Sequence, residues 1–107
     1  MKENNYRKAL VMFKDQEAGI LEETEKGFKF TYNEAFMKKN TPVSISMPVT
    51  KKIYENTELF PFFEGMLPEG WYLDIVTKKL KIDKNDAFGL LTATSSSTIG
   101  AVWIKNI

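Results

Sequence analysis

The chain has 107 residues, which fits a single domain over 1–107, and its hydrophobic fraction of 43% is ordinary for a globular protein. It has no cysteine, which excludes a disulfide scaffold and thiolate metal sites, and no histidine, the commonest general base near neutral pH. Fifteen Lys and Arg residues oppose fourteen Asp and Glu residues, and a net charge of +1 does not favour nucleic-acid binding. Because no apolar run resembles a signal peptide or a membrane span, we expect a cytoplasmic protein. Since cysteine and histidine are absent, we expect no metal, and we expect no cofactor.

The first third of the sequence predicts a β-hairpin arrangement. Residues 6–13 are rich in β-formers, 15–19 supply turn residues, and 19–22 are short and strand-like. The tripeptide Glu25-Lys26-Gly27 is typical of a hairpin turn, because glycine adopts positive φ without strain. These segments therefore predict neighbouring antiparallel strands.

Two further segments show period-2 alternation. Phe28, Phe30 and Tyr32 alternate with polar residues, which predicts a strand with three aromatic side chains on one face. Residues 33–40 are interpreted as a short helix or a loop. Residues 42–48 place Val43, Ile45 and Met47 on one side and serines on the other, and predict another half-buried strand bounded by prolines.

Helical signals follow in the second half. Thr57 is a plausible N-cap for a first helix, with Pro61 in or before the first turn. Pro68 is expected to open a second helix that runs to about Lys81. Asp83 is expected to cap a third helix, with an acidic residue three positions on as an approximate capping box.

A polar loop at 95–98 and a strand at 99–104 complete the prediction. Strands, then helices, then a closing strand indicate an α+β fold. We expect a small antiparallel β-sheet with about three helices packed on one side.

One segment carries a specific motif. Residues 59–70 read Leu-Phe-Pro-Phe-Phe-Glu-Gly-Met-Leu-Pro-Glu-Gly, which resembles the hallmark of the HipA N-terminal region: a phenylalanine pair followed by Leu-Pro-Glu-Gly. In order along the chain, 42–48 resemble the family's Leu-Ser-Leu-Pro strand, 86–91 resemble the helix that follows, and Gly100-Ala101 resembles its closing Gly-Ala step. Residues 95–99 depart from the family, which usually has a glycine-rich loop there.

The resemblance implies a function that composition alone does not. HipA proteins continue into a Ser/Thr-kinase-like domain, and this chain stops at Ile107, before that domain. In this it is similar to HipS, the small antitoxin of the split HipBST toxin–antitoxin systems. The resemblance implies an antitoxin that binds and neutralises a HipT-like kinase toxin, in a complex that can include a HipB-like DNA-binding protein.

Catalytic residues are not evident in the sequence. Kinase chemistry needs a phosphate-binding loop, a strand lysine and two aspartates, whereas Gly65, Gly70 and Gly89 are isolated. The hydroxyls at 95–98 have no histidine to activate them. We therefore predict that the chain is not an enzyme.

The predicted helix over 68–81 offers a surface for a partner. On a wheel of about 100° per residue, Trp71 and Ile75 lie together beside Lys78, and tryptophan is enriched among interface hot spots. The alternative is that Trp71 precedes the regular helix and packs on the sheet. The opposite stripe, expected to face the core, consists of Tyr72, Leu73, Val76 and Leu80.

The phenylalanine cluster at 60–63 adds to this surface. Its three aromatic side chains cannot all point the same way on a helix, so one is expected to face outward beside Met66. Trp103 is expected to pack against the sheet or the helices. The residues predicted to contact the partner are Trp71, Ile75, Lys78, Phe63, Met66 and Glu69.

Two other functions are compatible with the sequence. The chain could be a structural or activating subunit of the kinase complex. It could also be a nucleic-acid-binding autoregulator in which Phe28, Phe30 and Tyr32 stack on bases, although period-2 aromatics more often form a core.

Overall fold

A computed structural model describes residues 6–96 and 100–107, which form a five-stranded antiparallel sheet and four helices. The strands lie in the order β4-β3-β2-β1-β5, so β4 and β5 form the two edges. This agrees with the predicted α+β class. In chain order the elements are β1 (Lys8–Phe13), β2 (Gln16–Thr24), β3 (Gly27–Tyr32), α1 (Glu34–Met37), β4 (Ile53–Asn56), α2 (Pro61–Glu64), α3 (Gly70–Leu80), α4 (Ala87–Thr94) and β5 (Val102–Asn106).

The hydrophobic core lies on one face of the sheet. Ala9, Leu21 and Phe30 are register neighbours on β1, β2 and β3, and all three are fully buried. Because side chains alternate along a strand, every second residue joins this layer, except at a bulge between Val11 and Met12 where the register with β2 shifts. Helices and loops cover it with Phe36, Val43, Met47, Val49, Leu59, Phe60, Phe63, Phe88 and Leu91. In the described part of the chain, no helix is long and apolar enough to cross a membrane.

The aromatic residues of β3 are the centre of this core, as the alternation predicted. The rings of Phe30 and Tyr32 contact edge to face, with centroids 4.8 Å apart. Phe30 also contacts Phe63 of α2, and Tyr32 stacks on Phe36 of α1. Offset and edge-to-face contacts of this kind favour one arrangement of the rings beyond the burial of area.

The strand predicted at 42–48 is wrong: this segment is a loop. Val43 and Met47 are buried, but Ile45 between them is 95% exposed, because a turn closed by the Met47 N–H and the Ser44 carbonyl reverses the chain there. The Tyr32 hydroxyl holds the loop, since it donates to the Met47 carbonyl and accepts from the Val43 N–H at 3.0 Å. The alternation therefore reflects two anchors around an outward tip.

The first hairpin is also tighter than predicted. Its turn lies at residues 14–15, where Lys14 has a φ of 57°, and β2 already begins at Gln16. The short strand β4, Ile53–Asn56, was not predicted, because its sequence has no clear apolar alternation. The last strand is Val102–Asn106 rather than 99–104, and residues 97–99 of the predicted loop and strand lie outside the described part.

Three helix starts differ from the prediction. Thr57 is not an N-cap, because α2 begins at Pro61 with Phe60 in the cap position. The next helix begins at Gly70 rather than at Pro68. Asp86, and not Asp83, caps α4, because its carboxylate accepts a hydrogen bond from the Gly89 N–H at 3.0 Å.

Candidate partner-binding surface

Helix α3 follows directly from the Leu-Pro-Glu-Gly segment. Glu69 is extended at the N-cap without a side-chain cap bond, and Gly70 takes a φ of 57°, a left-handed conformation that glycine adopts easily. Lys81 ends the helix with a φ of 55°. The chain therefore changes direction at both ends of α3, which places the helix as a separate segment between α2 and α4.

The side of α3 that carries Trp71 and Ile75 is apolar and exposed. Trp71 is 75% exposed and Ile75, one turn later, is 41% exposed. The Trp71 ring contacts the ring of Tyr72 edge to face, with centroids 6.3 Å apart. Trp71 and Ile75 therefore point away from the core, as the helical wheel predicted, and the alternative of Trp71 packed on the sheet is wrong. We call Trp71, Tyr72 and Ile75 the α3 patch.

The predicted inner stripe of α3 is only partly correct. Val76 is buried and Leu73 is half-buried, but Tyr72 is 48% exposed and Leu80 is 51% exposed. The wheel gives the direction of each side chain but not the depth to which the helix sinks into the domain. Because Val76 is the single buried side chain of α3, with Leu73 and Thr77 half-buried beside it, the helix contacts the rest of the domain along a narrow line.

The phenylalanine cluster contributes less to the surface than predicted. Phe63 is fully buried, so its prediction as a partner contact is wrong: its ring packs on Phe30 and fills the core. Phe62 is the partly exposed member and lies beside the half-buried Met66, as the sequence suggested. Both line an open apolar groove of about 470 Å³, together with Phe13, Val43, Gly100, Ala101 and Val102.

The charged residues near the α3 patch are solvent-exposed. Lys78 and Lys79 lie in the last turn of α3, where cations interact favourably with the helix dipole. Glu69 is exposed at the opposite end of the helix. A partner surface that receives the apolar patch would therefore meet positive charge toward the C-terminus of α3.

A surface ion cluster joins Arg7, which directly precedes β1, to β2 and to the start of α4, and sequence reasoning missed it. The Arg7 guanidinium donates to Glu23 at 2.8 Å and to Asp86 at 2.7 Å, and lies 5.2 Å from the centre of the Phe88 ring. These hydrogen bonds hold the pKa of the Glu23 carboxyl and the pKa of the Asp86 carboxyl below their ordinary values. Arg7 lies 16 positions from Glu23 and 79 positions from Asp86 along the chain, so no local pattern could have indicated these contacts.

The described residues offer little for catalysis. In residues 6–96 and 100–107, no group of three Asp or Glu side chains is close enough to hold a metal ion. Ser95 is 1% exposed, and its hydroxyl has no hydrogen-bond partner in this part of the chain. Since no general base contacts this buried hydroxyl, the arrangement does not suggest a nucleophile.

The rings proposed for base stacking are not available. Phe30 and Tyr32 are buried, and Phe28 stacks on Phe88 of α4 with centroids 6.4 Å apart. A single-strand-binding sheet needs exposed rings on which bases can stack. The structure therefore argues against the nucleic-acid alternative that rested on these three residues.

Comparisons with known proteins identify the family to which this fold belongs. The HipA N-terminal domain family matches residues 9–105. A protein of Haemophilus influenzae (strain Rd), described only as an uncharacterized protein, is 33% identical over 87 residues, which cover 81% of this chain and 80% of that protein. A solved structure titled "N-terminal domain of HipA toxin" superposes with a TM-score of 0.74 at 26% identity, covering 100% of this chain and 97% of that one. The chain therefore belongs to the HipA N-terminal domain family.

Proposed function

We propose that this chain is a non-catalytic antitoxin that binds and neutralises a HipA-like Ser/Thr kinase toxin of the HipT kind. The observation that carries the proposal is the exposure of Trp71, 75%, at the start of a helix that buries only one side chain. Monomeric proteins seldom expose apolar patches of this kind unless they bind something. Membership of a family that is part of a toxin suggests which protein the patch meets.

The size of the effect follows from the exposed area. A tryptophan side chain buries about 200 Å² when fully covered, so the exposed three quarters of Trp71 correspond to roughly 150 Å². At about 25 cal/mol per Å², covering this area contributes up to about 4 kcal/mol. This is the range of a binding hot spot.

The helix itself supports the same conclusion. Isolated helices shorter than about 12 residues are marginal in water, and helices in proteins are stabilised mainly by packing. Among the 11 residues of α3, Val76 is the single buried side chain, and Leu73 and Thr77 are half-buried. A partner that covers the α3 patch would supply the second packing surface that the helix lacks.

The proposed mechanism is steric. Helix α3 docks on the kinase with Trp71 and Ile75 as anchors, and Met66, Lys78 and Glu69 lie at the margin of the contact. Docking closes the nucleotide or substrate cleft or holds the kinase in an inactive arrangement. The complex acts in the cytoplasm and can include a HipB-like DNA-binding protein. A structural or activating subunit would use the same surface, and the experiment below separates the two.

The test is co-expression of the chain with its HipA-like kinase, scored by growth and by co-purification. We expect the wild-type chain to bind and to restore growth. Trp71→Ala should weaken binding by at least about 30-fold, equivalent to roughly 2 kcal/mol. Ile107→Ala is the matched control, because Ile107 is 66% exposed but lies at the C-terminus, away from α3.

The outcomes of co-expression separately test neutralisation, the α3 patch as anchor, and docking itself. Binding without restored growth would refute neutralisation and indicate a structural or activating subunit. Binding that Trp71→Ala weakens by less than about 5-fold, or roughly 1 kcal/mol, would refute the α3 patch as the anchor. Absence of any complex would refute the docking mechanism.

A further inference from the structure

The second face of the sheet carries a regular surface that the α3 patch does not explain. The core residues Ala9, Leu21 and Phe30 point to one side, so their strand neighbours point to the other. The core cluster of buried residues from α1, α2 and α4 lies on the first side. We call the second side the outer face.

One row of the outer face alternates in charge. The register pairs Lys8 of β1 with Glu22 of β2, Glu22 with Lys29 of β3, and Lys29 with Glu55 of β4. The row therefore reads positive, negative, positive, negative across four adjacent strands. The ion pairs within 4.0 Å in residues 6–96 and 100–107 are Arg7 with Glu23 and with Asp86 and Lys52 with Glu34, so none of the row's four charges is in one.

The next row of the outer face is mainly apolar. Leu10, Ile20, Thr31 and Ile53 are register neighbours across the same four strands. Ile53 is 42% exposed, and the other three are partly exposed. A concavity of about 310 Å³ lies at Leu10, Ile20 and Thr31, and the charged residues Glu17, Glu34 and Lys52 also line it. A surface with an apolar row beside an alternating charged row suits packing against another sheet.

The charge pattern selects a particular partner. Two copies can stack outer face against outer face, related by a two-fold axis that lies between the two sheets. The axis runs parallel to the strands, midway between β2 and β3, so the second copy presents the same row in reverse order. Lys8 then faces the Glu55 of the copy, and Glu22 faces its Lys29, so all four contacts are attractive. The same axis places the apolar row on itself, with Ile20 opposite Thr31. From this self-complementarity we infer that the outer face is a homodimer interface.

The interface is small and the dimer is therefore weak. The four paired strands β1–β4, about 4.8 Å apart and about 20 Å long, give a contact of roughly 380 Å² on each copy. A stable interface buries about 800 Å² on each partner. A contact smaller than this gives a weak dimer, and the association falls as salt screens the charged row.

The alternating row also has an explanation within one chain, because opposite charges across neighbouring strands stabilise a sheet. The two explanations respond differently to charge reversal. E22K gives a row of three positive charges and one negative, and K29E gives the reverse. Neither is complementary to itself, but the two variants are complementary to each other at every position.

The experiment is sedimentation velocity on the whole chain from about 10 µM to about 1 mM, a concentration range in which weak dimers form. Wild type should shift from the 12.3 kDa monomer toward twice that mass. E22K and K29E should each weaken self-association by at least about tenfold. An equimolar mixture of the two should dimerise at least as well as wild type. Circular dichroism confirms that each variant is folded.

The controls make the result decisive. Trp71→Ala should leave the dimer unchanged, since Trp71 lies on α3, outside the outer face. A wild-type chain that stays monomeric at about 1 mM would overturn the inference. A mixture of E22K and K29E that fails to dimerise would overturn it too, because pairing within one chain cannot restore association between two different chains. Kinase binding tests the proposed function separately.

Discussion

Replacement of Tyr32 by phenylalanine tests whether one hydroxyl holds the 42–49 loop. Tyr32 is 1% exposed, and its hydroxyl satisfies two backbone groups of the loop at once: the Met47 carbonyl and the Val43 N–H. Phenylalanine keeps the ring contacts with Phe30 and Phe36 but removes both hydrogen bonds. The substitution therefore isolates the hydroxyl from the packing.

The expected cost follows from the two groups left without partners. A buried donor or acceptor that loses its partner costs about 1–3 kcal/mol, so the two groups that Tyr32→Phe leaves unpaired should lower the free energy of unfolding by roughly 2–6 kcal/mol. For a domain of this size, each kcal/mol corresponds to about 4–8 °C in Tm. Urea denaturation followed by circular dichroism measures the first quantity, and scanning calorimetry measures the second.

Tyr54→Phe is the matched control, because Tyr54 of β4 contacts the same loop. The Tyr54 hydroxyl also donates to a loop carbonyl, that of Pro48, but this contact is exposed and water can replace it. Its loss should cost less than about 1 kcal/mol. Equal losses in the two variants, or a Tyr32→Phe loss below about 0.5 kcal/mol, would refute the reasoning. Faster hydrogen exchange of the Val43 amide in Tyr32→Phe would show that the loop itself has opened.

Two further predictions concern the Arg7 cluster and the ends of α3. Hydrogen bonds from Arg7 lower the pKa of Glu23 and the pKa of Asp86 from ordinary values of 4.5 and 3.8. Their contribution to stability is therefore present above about pH 4.5 and is lost as the pH falls through the lowered values. Urea denaturation between pH 7 and pH 3 should show this loss in wild type and a flatter profile in Arg7→Gln, and identical profiles would contradict the prediction. Gly70→Ala should destabilise the domain by about 1–2 kcal/mol, since a Cβ at Gly70 meets no atom within 4 Å and only the left-handed backbone opposes it. Lys81→Gly should stabilise it by up to about 1 kcal/mol for the same reason. Thermal unfolding of both variants checks the opposite signs, and shifts of the same sign would refute the backbone explanation.

Local patterns predicted the centre of the fold well. The aromatic alternation at 28–32 predicted both a strand and the face that it buries. The same period at 42–48 was misleading, because buried Val43 and Met47 flank a tight turn rather than a strand. A period of two indicates that alternate residues are buried, and either a strand or a loop can give this pattern. In the 42–48 segment, hydrogen bonds with the distant Tyr32 hydroxyl hold a loop.

Edges and contacts distant in sequence were harder to predict. Strand β4 is exposed at three of its four residues, so burial left no pattern in its sequence. The N-cap of α4 could be Asp83 or Asp86 on local grounds, and Asp86 is favoured where Arg7 also binds its carboxylate. In the candidate site, the direction of Trp71 was predictable from the helical period, whereas the burial of Phe63 depended on Phe30 of another strand.

The narrow attachment of α3 has an evolutionary consequence. Because Val76 is the single buried side chain of α3, substitutions at the exposed positions 71, 72, 75, 78 and 79 carry little penalty for folding. These outward positions are free to diverge while the core stays constant. Related chains can therefore acquire different partners by changes within one helix, and a transplanted α3 should transfer recognition between two members of the family.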